Sequence, residues 1–232
     1  TGVILTAKGL SSGTYRVYEI DSAEGLHITT KYIQFVVDSK ADNYKVEMDA
    51  DGNSFATITL DYVNEDTYGK LKIKKVGEQL SGWDESTQRF IWEKTQLKGV
   101  IFDIYADGNI ETQDGQGTNW YNDGDLVATV TTGEGAVFSS ECSGITGAEL
   151  EEDGTVTVNL PLGKYTVKER KTLYGYLLSD KTWPVEFNWK NKEEEFVFDS
   201  TESTDDNGLL TVQNERAKTR LEVVKKDKDS KK

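Results

Sequence analysis

The feature that most restricts this chain is a repeat. Residues about 150 positions apart match without a gap: Gly13 with Gly163, Tyr15 with Tyr165, Val17 with Val167, Glu19 with Glu169, Gly25 with Gly175 and Lys31 with Lys181. The same offset joins Leu60 to Leu210, Asn64 to Asn214, Glu65 to Glu215, Leu71 to Leu221 and Lys75 to Lys225. Identity across the overlap is low. The matches nevertheless fall on turn glycines, strand aromatics and ionisable or amide groups, which are the positions a shared backbone would hold fixed. The repeat divides the chain in three. Residues 1–68 read as the C-terminal part of one unit, without its first strands. Residues 69–216 read as a complete unit with an insert around 77–154. Residues 217–232 read as the first strand of a following unit or a tail, joined through Ala217 to Arg220. A tandem array of such units adds length more than chemistry.

Within the units, alternation of polar and apolar residues dominates. Lys70 to Lys75, Lys164 to Glu169 and Gly13 to Glu19 each alternate with the period of a strand. Val100 to Tyr105, Glu195 to Phe198 and Leu209 to Val212 are further strands. Only two prolines occur, while Gly, Asn, Asp and Ser punctuate the chain at short intervals. The reading is all-β, as tandem sandwiches, one complete and one partial. The best helix candidate, Trp83 to Lys94, is ragged and is expected to be irregular or a short helix within a β domain.

Composition narrows the function. The net charge of −14 argues against binding nucleic acid or an anionic lipid surface. With one cysteine, Cys142, and one histidine, His27, the chain can build neither an internal disulfide nor a His/Cys metal cluster, and no metal or other cofactor is expected. A Ser/His/Asp triad is excluded on the same count. No stretch is long and apolar enough for a transmembrane helix, so no membrane insertion is expected of this segment. Asp49 to Asn53 and Asn122 to Asp125 look faintly like calcium loops but lack the spacing, and hairpin turns are expected there. Trp83, Trp92 and Trp120 could form a ligand patch in the insert, although such residues more often cover a core or an edge.

Three residues sit where parity says they should not. Leu71, Ile73 and Lys75 share one face of their strand, so Lys75 continues an apolar face. Glu169 shares its face with Tyr165 and Val167, and Asn214 lies near the end of the last full strand. Each alone reads as an ordinary strand-end residue, with the lysine reaching out to water. Together they describe a reaction. Burial turns a lysine into a neutral amine nucleophile, a carboxylic acid can polarise a carboxamide and relay protons, and a carboxamide is an electrophile that loses ammonia. Lys72 and Lys74 are the other candidate nucleophiles; parity favours Lys75.

This arrangement resembles the Cna B-type domains of Gram-positive surface adhesins and pilins, also called SpaA-type or prealbumin-like domains. The resemblance is carried by the opening strand Lys70 to Lys75, by Lys98-Gly99-Val100-Ile101-Phe102-Asp103-Ile104-Tyr105, by Leu160-Pro161-Leu162-Gly163-Lys164-Tyr165-Thr166-Val167-Lys168-Glu169, and by Leu210 to Glu215. The family's usual continuation after the glutamate carries a Thr and an Ala-Pro before Gly-Tyr. Here it reads Arg170-Lys171-Thr172-Leu173-Tyr174-Gly175-Tyr176, which keeps the Gly-Tyr and lacks the Ala-Pro.

The resemblance implies an immunoglobulin-like or prealbumin-like sandwich, with Lys75 as nucleophile, Asn214 as electrophile and Glu169 as the acid/base of a self-made isopeptide bond. It also implies an extracellular, wall-attached location and no enzymatic turnover. The expected role is a stalk or shaft segment whose partners are neighbouring repeats. The rival is an adhesive module that binds a host protein or glycan through the insert. Glu19, Asn64 and Lys225 are the second-repeat equivalents. Lys225 is expected to react in a following repeat; the alternative, strand addition between molecules, would leave SDS-resistant ladders.

Overall fold

A computed structural model describes residues 10–38, 40, 45–48, 50–52, 54–142 and 144–225. Among these the secondary structure is entirely strands, turns and bends. The chain packs as two compact units.

The second unit, Tyr68–Asn188 with Val197–Lys232, holds the main core. To keep one numbering, the six strands before it are β1 (Gly13–Val17), β2 (Leu26–His27), β3 (Ile33–Val37), β4 (Lys45–Met48), β5 (Ser54–Thr57) and β6 (Glu65–Asp66). The second unit then brings β7 (Tyr68–Asp84), β8 (Arg89–Gln96), β9 (Ile101–Ala106), β10 (Ile110–Glu111), β11 (Asn119–Tyr121), β12 (Leu126–Thr131) and β13 (Gly135–Phe138). It continues with β14 (Gly147–Leu150), β15 (Val156–Pro161), β16 (Gly163–Lys171), β17 (Thr182–Phe187), β18 (Phe196–Phe198) and β19 (Leu209–Asn214).

One sheet runs β13-β12-β9-β16-β17. The other runs β14-β15-β7-β18, with β19 and β8 also paired to β7. Strands β7 (through Gly77), β16 and β19 alternate in burial, which is how the two sheets present an inner face to a shared core. In β7 the buried positions are Gly69, Leu71, Ile73, Lys75 and Gly77. In β16 they are Tyr165, Val167 and Glu169, and in β19 Leu210, Val212 and Asn214. Phe102 and Ile104 of β9 and Val185 and Phe187 of β17 complete the inner surface of the five-stranded sheet. Gly77 is required by a close approach: a Cβ there would lie 2.6 Å from Leu97 and 2.6 Å from Tyr176, whose hydroxyl donates to the Glu78 carbonyl at 2.9 Å.

The first unit comprises Thr1–Thr67 and Trp189–Phe196. Within it β1 pairs with β3, β2 with β6 and β4 with β5, all antiparallel. The segment after Trp189 is tied in by several bonds. Trp189 Nε1 donates to the Leu26 carbonyl at 3.1 Å, Ile28 N to the Lys192 carbonyl at 2.8 Å, and Thr67 Oγ1 to the Glu194 carbonyl at 3.2 Å.

Four sequence expectations change. Trp83 to Lys94 is not a helix: β7 and β8 form a hairpin whose turn is set by Asp84, which accepts from Ser86 and Thr87, and by Gln88 in the left-handed region (φ 52°). Across the ribbon Trp83 pairs with Phe90, their rings edge-on at 5.0 Å. The supposed insert 77–154 is largely framework, because β9 is the central strand of its sheet and β12 flanks it. The repeat could not reveal this, since the partial unit has no counterpart for those strands. Residues 189–196, read as part of 69–216, pack with the first unit. Finally, residues 217–225 form no strand, and Leu221 and Val223 are more than four-fifths exposed. An alternating segment gains a ladder and a buried face only against a partner. Asp49 and Asn53 of the first supposed calcium loop lie outside the described residues. Asn122 to Asp125 is a turn closed by Asn122 N donating to Asp125 Oδ2 at 2.8 Å, with Gly124 at φ 80°.

A buried lysine, glutamate and asparagine

The three inward polar residues of the second unit meet. Lys75 comes from β7, Asn214 from β19 and Glu169 from β16 in the facing sheet. Strands β7 and β19 run parallel, with Val212 opposite Lys75 and Asn214 opposite Gly77, so the two side chains converge from neighbouring strands. Lys75 Nζ donates to Asn214 Oδ1 at 2.5 Å and lies 3.1 Å from Glu169 Oε1. Asn214 Nδ2 donates to the same Glu169 oxygen at 2.7 Å. All three residues are at most 2% exposed.

The surroundings leave little slack. Asn214 Nδ2 also donates to Thr172 Oγ1 at 2.8 Å, so both amide hydrogens are engaged and the carbonyl oxygen is turned toward the amine. Ser179 N donates to Glu169 Oε2 at 2.9 Å and anchors the carboxyl. The Phe102 ring lies 5.7 Å from Lys75 Nζ. Desolvation lowers the pKa of Lys75, opposed by the charge of Glu169 and by its hydrogen bond. Burial therefore biases the amine toward the form with a free lone pair.

Lys72 and Lys74 face away. They pair with Glu151 at 3.8 Å and Asp153 at 2.8 Å, with about a third of each side chain exposed. Parity thus separated the buried lysine from its neighbours. Sequence reasoning gave Thr172 and Ser179 no role. Thr172 lies three residues after the glutamate, and its counterpart at the repeat offset, Ser22, is also a hydroxyl residue; that pairing was the available signal.

The first unit holds the equivalent pair. Asn64 Nδ2 donates to Glu19 Oε1 at 2.7 Å, the separation found between Asn214 and Glu169. Lys225 is exposed and outside any strand. Cys142 is buried beside the Tyr121 hydroxyl at 3.6 Å, and burial raises the pKa of its thiol.

Residues 92–202 match the family model of the SpaA prealbumin-like fold domain. This part of the chain is a SpaA-type domain. Among curated protein sequences none matches the chain. Solved structures similar to it include the minor pilin of Streptococcus agalactiae (18% identity, 84% of this chain and 63% of that one, TM-score 0.35). The group B streptococcus pilus 2b backbone protein is similar at 20% identity over 80% and 56% of the two chains, TM-score 0.33. The shaft pilin SpaA of Lactobacillus rhamnosus GG is similar at 16% identity over 66% and 51%, TM-score 0.29. The chain thus spans between about half and two thirds of each of these three.

Proposed function

We propose that this chain is a structural stalk or shaft segment of a Gram-positive surface protein, pilin or adhesin, locked by an isopeptide bond between Lys75 and Asn214. The observation that carries the reading is the contact of amine, carboxamide and carboxyl in a site closed to water. Lys75 Nζ attacks Asn214 Cγ. The Cγ–Nδ2 bond breaks, Glu169 takes a proton from Nζ and passes it to Nδ2, and ammonia leaves. The chemistry occurs once per molecule and has no external substrate. Its product ties the first strand of the unit to the last, 139 residues on, so that traction between them falls on a covalent bond instead of strand hydrogen bonds. Neighbouring repeats are the natural partners of such a segment.

Intact mass followed by peptide mapping tests the proposal. Expulsion of one ammonia lowers the mass by about 17 Da. The deficit, with the Lys75 and Asn214 peptides joined, is expected in the native chain and absent in Glu169→Ala. A native chain of unshifted mass would end the reading.

A second reading, an adhesive module, is favoured by one observation. The β7–β8 hairpin carries an aromatic cluster of Trp83, Phe90 and Trp92, with Trp83 and Phe90 about half exposed. Host-protein and glycan binding lost in Trp83→Ala and Phe90→Ala would support it, and a blank screen would remove it.

A further inference from the structure

The ladder between β7 and β19 ends at the reacting residues. Its last pair is Asn214 with Gly77, and Gly77 lies two positions beyond Lys75 on the same buried face. The ends of paired strands fray, so the ladder holds the carboxamide at its weakest point. Bond formation depends steeply on geometry, and a misplacement of about 1 Å can cost about a hundredfold in rate. Contacts beyond the ladder have to fix Asn214 against the amine.

The loop between β16 and β17 supplies them. Thr172 and Ser179, near its two ends, hold the Asn214 amide and the Glu169 carboxyl. Between them Tyr176 ties the loop to both reacting strands. Its hydroxyl donates to the carbonyl of Glu78, three residues after Lys75, at 2.9 Å. Its backbone bridges antiparallel to Arg216, two residues after Asn214, and the Arg216 guanidinium lies 4.7 Å from the centre of its ring. On either side, Leu177 N donates to the Glu215 carbonyl and Ala217 N to the Gly175 carbonyl, each at 2.9 Å. The ring uses the space that Gly77 leaves open, since a Cβ on Gly77 would lie 2.6 Å from Tyr176 Cε1. It thereby takes the inward position next after Lys75 on β7, beside Asn214 in register. Tyr174, two residues earlier in the same loop, is fully exposed.

We infer that Tyr176 is a positioning residue for formation of the Lys75–Asn214 bond. Its hydroxyl and ring join the end of β7 to the end of β19, so that the carboxamide carbon stays within reach of the amine. Tyr176 acts through these strands and takes no part in proton transfer. The inference rests on the lysine–asparagine chemistry proposed above.

The test follows chain newly made by cell-free synthesis from the moment translation is stopped. Protease resistance reports folding, and mass reports the deficit of about 17 Da that marks the loss of ammonia. Tyr176→Phe keeps the ring and loses the hydroxyl. It should fold and form the bond about five- to tenfold more slowly, the effect of one positioning hydrogen bond. Tyr176→Ala should be slowed about a hundredfold. Two controls separate positioning from general stability. Tyr174→Ala changes the same loop at an exposed side chain and should keep the native rate. Val158→Ala empties part of the core on β15, opposite Leu71, and should lower stability without slowing bond formation in the folded chain. A native rate in Tyr176→Phe would overturn the inference and leave the Lys75–Asn214 bond standing. A slowing in Val158→Ala as large as that in Tyr176→Phe would overturn it in the same way. A native chain that never loses ammonia would remove the bond and this inference together.

Discussion

The two units pair their strands in one register and bury them to different depths. In the second, Gly163 faces Phe187 and Tyr165 faces Val185; in the first, Gly13 faces Val37 and Tyr15 faces Phe35, which is the same pairing displaced by 150 residues. Tyr176 bridges to Arg216 where Leu26 pairs with Asp66, and Ala217 N donates to the Gly175 carbonyl where Thr67 N donates to that of Gly25. Yet Tyr165 and Val167 are fully buried, while Val17 is 40% exposed and Tyr15 half-buried. Register is a local property of two strands and their turn. Burial needs the facing sheet, and the first unit has no described counterpart of β7, β9 or β12. The polar site follows the same division: the glutamate–asparagine pair recurs in the first unit, and a counterpart of Lys75 is not among the described residues.

The sharpest way to break this comparison is to remove the same atom from both units. Glu169→Ala should abolish the cross-link and leave Lys75 buried without a counter-charge. The lost closure of a 139-residue separation is worth about 5 kcal/mol on chain entropy, and an uncompensated buried charge about 3–5 kcal/mol more. Glu19→Ala removes a carboxyl that, among the described residues, holds one asparagine and no amine, and should shift stability by less than about 1 kcal/mol. Urea denaturation of the pair measures both; similar losses would mean the two sites are equally complete.

Asn214→Ala separates the two contributions in the second unit. It removes the electrophile and keeps the Lys75–Glu169 ion pair, so only the cross-link is lost. A fall in melting temperature of roughly 10–20 °C follows from about 5 kcal/mol in a chain of this size. Calorimetry showing no change would mean the native chain carries no bond to lose.

Thr172→Ala should act on rate, since Thr172 holds the amide whose nitrogen leaves. Loss of one positioning hydrogen bond of about 1 kcal/mol slows bond formation roughly five- to tenfold without preventing it. The appearance of the 17 Da deficit (about one ammonia) during refolding follows this directly. Thr172→Ser should restore the native rate, and an unchanged rate in Thr172→Ala would leave the hydroxyl with a packing role alone.

Much of this was legible in the sequence, for reasons that also mark where reading stops. Strand period exposed Lys75, Glu169 and Asn214, because a charged or amide residue on an apolar face is conspicuous when side chains alternate strictly. The offset of 150 fixed which strands correspond. Strand period marked Val100 to Tyr105, within β9, as a strand, but the offset could not show β9 and β12 as framework instead of insert, because the partial unit offers no copy of them to compare. Thr172 escaped because its role depends on a loop, where parity says nothing, and Ser179 because it contributes a backbone N–H that any residue could supply. The β7–β8 hairpin was hidden by a turn without glycine: Gln88 takes the left-handed position and the Asp84 carboxylate supplies the bonds.

The smallest expected effect is a dependence on pH that only an uncross-linked second unit can show. In Asn214→Ala the Lys75 amine still titrates, and burial holds its folded-state pKa below the ordinary 10.5, against the pull of Glu169. Between that depressed value and 10.5 the unfolded chain binds more protons at this lysine than the folded one, so its contribution to stability rises with pH across the window and is flat below it. With the proposed cross-link formed, the same nitrogen in the native chain is an amide and contributes nothing. The difference in urea midpoint between native and variant should therefore narrow as pH is raised from 7 toward 10, with the other lysines, common to both proteins, cancelling. A gap that stays constant would place the amine of the variant in water, and with it the closed site from which the whole contrast between the units was argued.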